Sequence, residues 1–106
     1  LGSLVRDSAL DAVARDHAAR MARAQDLAHE LGDGNPLERL RAAGVDARYA
    51  GENAAHASTL ALAHRSIWAS PSHRANLLHR GFDRIGVAVV RDDRGDAWVV
   101  ETLASD

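Results

Sequence analysis

No cysteine occurs among the 106 residues, so a disulfide framework and a thiolate metal site are both excluded, and any metal must be held by His, Asp or Glu. Aromatic residues are scarce at 4%, while apolar residues reach 46%, much of it alanine. Such a core is built of closely packed helices with few large anchors. Long apolar runs are missing as well. None approaches the roughly 18 residues of a membrane span, and the chain starts at Leu1 without a methionine or a signal-type segment, which reads as a mature or excised domain. Nor is there a block of one charge: 13 basic and 15 acidic residues, interspersed, give a formal charge of −2, which removes support for nucleic-acid binding. The length fits one domain, and no repeat, low-complexity tract or linker divides residues 1–106.

What is present is helical first and extended later. In "DSALDAVARDHAARMARAQDLAH" the residues Leu10, Val13, Ala14, His17 and Met21 recur at helical spacing, and Ser8 with Asp11 three residues on suits the start of a helix over about 9–27. "GDGNPLERLRAAG" offers Asn35 as cap, Pro36 at the first position and Gly44 as terminator of a short second helix, with loop on either side. "ASTLALAHRSIWAS" predicts a third helix capped by Ser58 and closed at Ser70-Pro71, which in turn starts a fourth through "SHRANLL". The period then changes. Two β-branched runs, 84–91 and 97–103, flank an Asp-Asp-Arg-Gly turn and predict an antiparallel hairpin. Ile85, Val87 and Val89 alternate with Gly86, Ala88 and Val90. Both faces are therefore apolar and each should be covered by helices.

Six histidines invite a search for ligands. His17 lies on the apolar stripe of the first helix and reads as a hydrogen-bonded core residue, while His64 and His79 sit among arginines and read as surface groups. His56 either faces the same cavity as Glu52 or is exposed. His29, Glu52 and His73 fall at junctions of elements with loops, where side chains from distant segments converge. Two imidazoles and a carboxylate suit a divalent ion, zinc first, with a position left for water or ligand, although their spacing matches no local signature.

With "HAARMA", "LAHELGDGNPLERLRAAG", "AGENAA", "SPSHRANLL" and "FDRIGVAVV…DAWVVETLA" in this order, the chain resembles the CAP superfamily, also called SCP-like domains, in its bacterial cysteine-free form, from about residue 8 to 104. The resemblance implies an α+β fold, a three-layer α-β-α sandwich with a small antiparallel sheet. It also implies a concave site of two histidines and two acidic residues that accepts a divalent metal in several relatives. By position, His29 and His73 match the two histidines and Glu52 the glutamate of Gly-Glu-Asn. Gly51 would allow close backbone approach, and Asn53 would hold the turn through a side-chain to backbone bond. Where many relatives carry the second glutamate, after a tryptophan, Ser70 or its neighbours stand instead. Glu101, where bacterial relatives have glutamine, either replaces that carboxylate or is a buried glutamate paired with Arg74 or Arg84.

Three functions follow from this resemblance. The first, taken as the main reading, is a secreted or extracytoplasmic binding module, a monomer with no transmembrane segment. Its His29/Glu52/His73 pocket would hold a divalent metal, lined also by Ser70, Asn53, His56 and Glu101, beside a groove for a small ligand, lipid, glycan or peptide of the cell envelope. The second is a metal-assisted hydrolase with Glu52 as base or third ligand; Ser70 and Ser72 belong to no nucleophile elbow. The third is a non-catalytic scaffold at an envelope or spore surface.

Overall fold

The computed structural model describes residues 4–70, 75 and 81–106. In chain order they form β1 (Val5–Arg6), α1 (Ser8–Ala24), α2 (Pro36–Ala42), β2 (Tyr49–Ala57), α3 (Leu60–Ala69), β3 (Arg84–Arg91) and β4 (Ala97–Ser105). Apart from Ala75, the expected fourth helix and its "SHRANLL" lie outside the described residues.

Helix ends follow local chemistry, with small shifts from expectation. Asp7, not Ser8, caps α1: its Oδ1 accepts the amides of Ala9 at 2.8 Å and Leu10 at 3.4 Å. A carboxylate there also complements the helix dipole. The helix stops at Ala24, short of 27, because Gln25 turns left-handed at φ 51°. In α2 the full capping box forms, with Asn35 Oδ1 accepting from the Glu38 amide and Glu38 Oε1 accepting from the Asn35 amide. Gly44 leaves it at φ +77°. Thr59 rather than Ser58 caps α3, accepting the Leu62 amide at 3.1 Å, and Ser70 ends it.

The sheet runs β1-β3-β4-β2. The expected β3–β4 hairpin is present, and β1 adds two parallel residues to its outer edge. β2 was expected as loop; instead it is a nine-residue strand antiparallel to β4, in unbroken register from Tyr49↔Ser105 to Ala57↔Ala97. β4, covered on both sides and paired along both edges, is buried throughout.

Because side chains alternate across a strand, the two faces carry different sets. On one, Ala54, Ala88, Trp98 and Val100 pack under Ala14, Ala18, Met21 and Ala22 of α1, and Ala104 meets Leu10, Val13 and Leu40, which brings in α2. On the other, Ala55, Ala97 and Val99 pack under Ala63 and Ile67 of α3. The result is the expected helix, sheet, helix layering. Alanine on both sides of each contact brings backbones close, most of all at Gly86, where a Cβ would lie 2.1 Å from the Leu10 carbonyl carbon.

Candidate functional site

Glu52 sits in the middle of β2 on the face toward α1 and α2, with its side chain fully buried. A carboxylate in that position needs compensation, and three elements supply it. From α2, the buried Arg39 places Nη1 2.6 Å from Glu52 Oε2. From the loop after α1, His29 places Nδ1 2.8 Å from Oε1. From α1 itself, His17 Nε2 lies 3.6 Å from Oε1.

The supports are themselves held. Arg39 donates to the carbonyls of His29 at 2.9 Å and Gly34 at 3.3 Å, which ties the loop back onto α2. His17 is wholly buried, as expected of a core histidine; Nε2 donates to the Ala28 carbonyl at 2.7 Å and Nδ1 meets Asp33 Oδ2 at 2.6 Å. Burial pushes the Asp33 carboxyl up, but the bonds from His17 and the Leu31 amide and the charges of His17 and Arg39 outweigh it, so the group is held below its ordinary range. The centre is thus a buried network of two acidic and three basic side chains spanning α1, α2, β2 and the loop between the helices. It reaches the surface at His29, whose side chain is 57% exposed, and along a cleft of about 270 Å³ between the helices, where Arg20 stands near Asp33.

The donor set can be tested against the divalent ion that the resemblance implies. His29 fits: Nδ1 is fixed by a carboxylate, and Nε2 has no partner among the described residues. Glu52 is already engaged on both oxygens. One oxygen faces a guanidinium and the other an imidazole, and an ion taking the carboxylate would strand the buried charge of Arg39. His73 lies outside the described residues.

Asn53, Glu101 and His56 are not brought to Glu52. Asn53, next in sequence, points to the α3 face; rather than holding a turn through the backbone, its Nδ2 donates to Glu101 Oε1 at 3.1 Å, and both residues are buried. Glu101 pairs across the strands with Asn53, on the opposite side of the sheet from Glu52, so it does not stand in for a second carboxylate at that site. Nor is Arg84 its partner: that guanidinium bonds Asp106 at 2.8 Å and lies near Asp7 and Asp83, while Arg74 is outside the described residues. Ser70 is the C-cap of α3, its amide directed to Ser66 and Ile67. His56 is exposed, four residues and about 13 Å along β2 from Glu52. Gly51 makes room for the ring of Phe82, which a Cβ would approach to 2.8 Å. Arg39 and Asp33 went unrecognised in the sequence. The signal for Arg39 was indirect: a glutamate among alanines must find a cation, and the preceding helix held two arginines beside Leu40.

The sequence matches the family model of CAP, the Cysteine-rich secretory protein family, over residues 1–102. The chain belongs to the CAP family. Among solved structures this CAP domain is similar to an outer surface protein from Borrelia burgdorferi, with TM-score 0.90 at 22% identity, over 99% of this chain and 79% of that one. A likeness at that identity speaks to fold. It is also similar to an extracellular protein containing a SCP domain from Bacillus anthracis, with TM-score 0.84 at 28% identity, over 97% of this chain and 34% of that one. The CAP domain therefore spans about a third of that longer protein. No curated protein sequence matches it. No helix among the described residues is long and apolar enough to cross a membrane.

Proposed function

We propose that this CAP domain works outside the cell as a binding module in which His29 meets the ligand, while Glu52, clamped by Arg39, aims the imidazole. The observation that carries this reading is the double ion pairing of Glu52, Oε1 with His29 at 2.8 Å and Oε2 with Arg39 at 2.6 Å. A carboxylate on Nδ1 fixes the tautomer and ring plane and leaves Nε2 as the presented atom. A divalent metal, zinc first, would be held by His29 with His73 as the second imidazole, and would supply a Lewis-acidic contact for a ligand oxygen. Glu52 stands behind His29 as its orienting group. An extracellular setting is supported by the outer-surface and extracellular proteins that share the fold.

The same carboxylate-imidazole pair is also how a general base is tuned, which favours the hydrolase as the second reading, with His29 rather than Glu52 moving the proton. Calorimetric titration with zinc at pH 7.5 and 5.5 separates these. The binding module predicts a saturable site that weakens in acid as protons compete for the imidazole nitrogens, is lost from the binding curve in His29→Ala, and falls by about 10–100-fold in Glu52→Gln. Binding untouched by His29→Ala would sink it, and turnover of model esters or peptides that depends on His29 would replace it with the hydrolase.

A further inference from the structure

A second constellation lies at the other end of β2, where the strand runs past the β3–β4 turn. His56 is the cross-strand neighbour of Trp98, and their rings stack in parallel, centroids 3.8 Å apart and planes within 6°. The stack fixes the direction of the imidazole edge. Nε2 is aimed at Asp96 Oδ2, 2.9 Å away. Asp92 is fixed equally firmly: Oδ1 accepts the amides of Arg94 and Asp96, and Oδ2 accepts the Trp98 indole at 2.9 Å and the Gln25 side chain at 3.0 Å. One ligand atom each from His56, Asp92 and Asp96 falls within 4.8 Å of the others.

We propose that His56, Asp92 and Asp96 form a binding site for a borderline divalent cation such as zinc or cobalt, separate from His29. One imidazole and two carboxylates are a fitting donor set for such ions. Ligand atoms about 2.0–2.2 Å from a tetrahedral ion stand roughly 3.4 Å from one another, so the His56–Asp96 pair opens by about half an ångström to admit it. The indole and the two amides keep the Asp92 carboxylate oriented from behind, as outer-shell donors do. Of the four donors on Asp92, Gln25 is the replaceable one. It is exposed, and its Nε2 also donates to the Ala22 carbonyl at 2.7 Å, so it stays anchored when an ion takes its place at Oδ2. The Trp98 indole donates directly to that same oxygen, which makes its emission a local reporter.

The chain has two tryptophans, Trp68 and Trp98, so Trp68→Phe leaves Trp98 as the single tryptophan, excited selectively at its red edge. Cobalt(II) is titrated into that protein at pH 7.5, with circular dichroism confirming that every variant is folded. The expected result is saturable quenching at one equivalent, weakened about tenfold or more by Asp96→Asn, which preserves the stack, and likewise by His56→Gln. His29→Ala, at a distant site, leaves the curve within about twofold. Quenching that rises linearly without saturation overturns the proposal. So does a saturable curve that Asp96→Asn leaves in place, or one that His29→Ala abolishes, which would put the ion at the other end of the strand.

Discussion

Two buried glutamates one strand apart have opposite surroundings. Glu52 and Glu101 are 4% and 7% exposed, close enough in burial that the comparison turns on neighbours alone. Glu52, on the α1 and α2 face, is met by a guanidinium and two imidazoles. Glu101, on the α3 face, is met by the amide of Asn53. The difference teaches that Gly-Glu-Asn is not one site. Consecutive residues of an extended motif serve opposite layers, and among the described residues only one layer brings cations to its glutamate.

The contrast is broken most severely at Arg39. Replacing it with methionine leaves Glu52 buried without its guanidinium and should cost about 3–5 kcal/mol, read from urea denaturation. Glu52→Gln, which strands Arg39 but keeps a hydrogen-bonding side chain, should cost about 2–3 kcal/mol. Combining Arg39→Met with Glu52→Leu removes both charges and should recover most of the loss. If the double variant is as damaged as the sum of its parts, the network is not acting as a charge pair. Next in size is the acid response. The Asp33 carboxyl is held low in the folded state, so its contribution is complete above the unfolded value of about 3.9 and is lost as pH falls through the folded one. Asp33→Asn should flatten the decline of stability between pH 5 and 2. The smallest effect sharpens the comparison from the other face: Glu101→Gln keeps an acceptor for Asn53 and removes a charge with no cation among its described contacts. It should be neutral or stabilising by less than about 1 kcal/mol.

The fold was legible where local chemistry decides structure. The Asn35-Pro36-Glu38 box, the heptad-like stripe from Leu10 to Met21 and the turn beginning at Asp92 each name their own conformation. β2 was not legible, because Ala50, Ala54, Ala55 and Ala57 have little preference for strands. What makes the segment a strand is its pairing with β4, 40 to 56 residues away along the chain. The caps of α1 and α3 slipped by one residue because Asp7 and Ser8, and Ser58 and Thr59, are adjacent residues that can each cap a helix. In the site, Glu52 and His29 were named and are joined, and His17 was placed correctly in the core. Asn53 and Glu101 were grouped with them because strand alternation cannot be applied across a segment read as loop, whereas His56 shares the Glu52 face and is set apart by its distance along β2.

That alternation has one more consequence. A one-residue slip of β2 against β4 would exchange its faces, and the apolar centre of the strand would scarcely register the change, because Ala54 and Ala55 are the same side chain. The slipped chain would bring Asn53 before Arg39 and send Glu52 toward α3, leaving two unmatched charges in separate layers. The network around Glu52 therefore works as an alignment key: it distinguishes the native pairing from its nearest competitor at the centre of the strand, where the alanines cannot tell them apart.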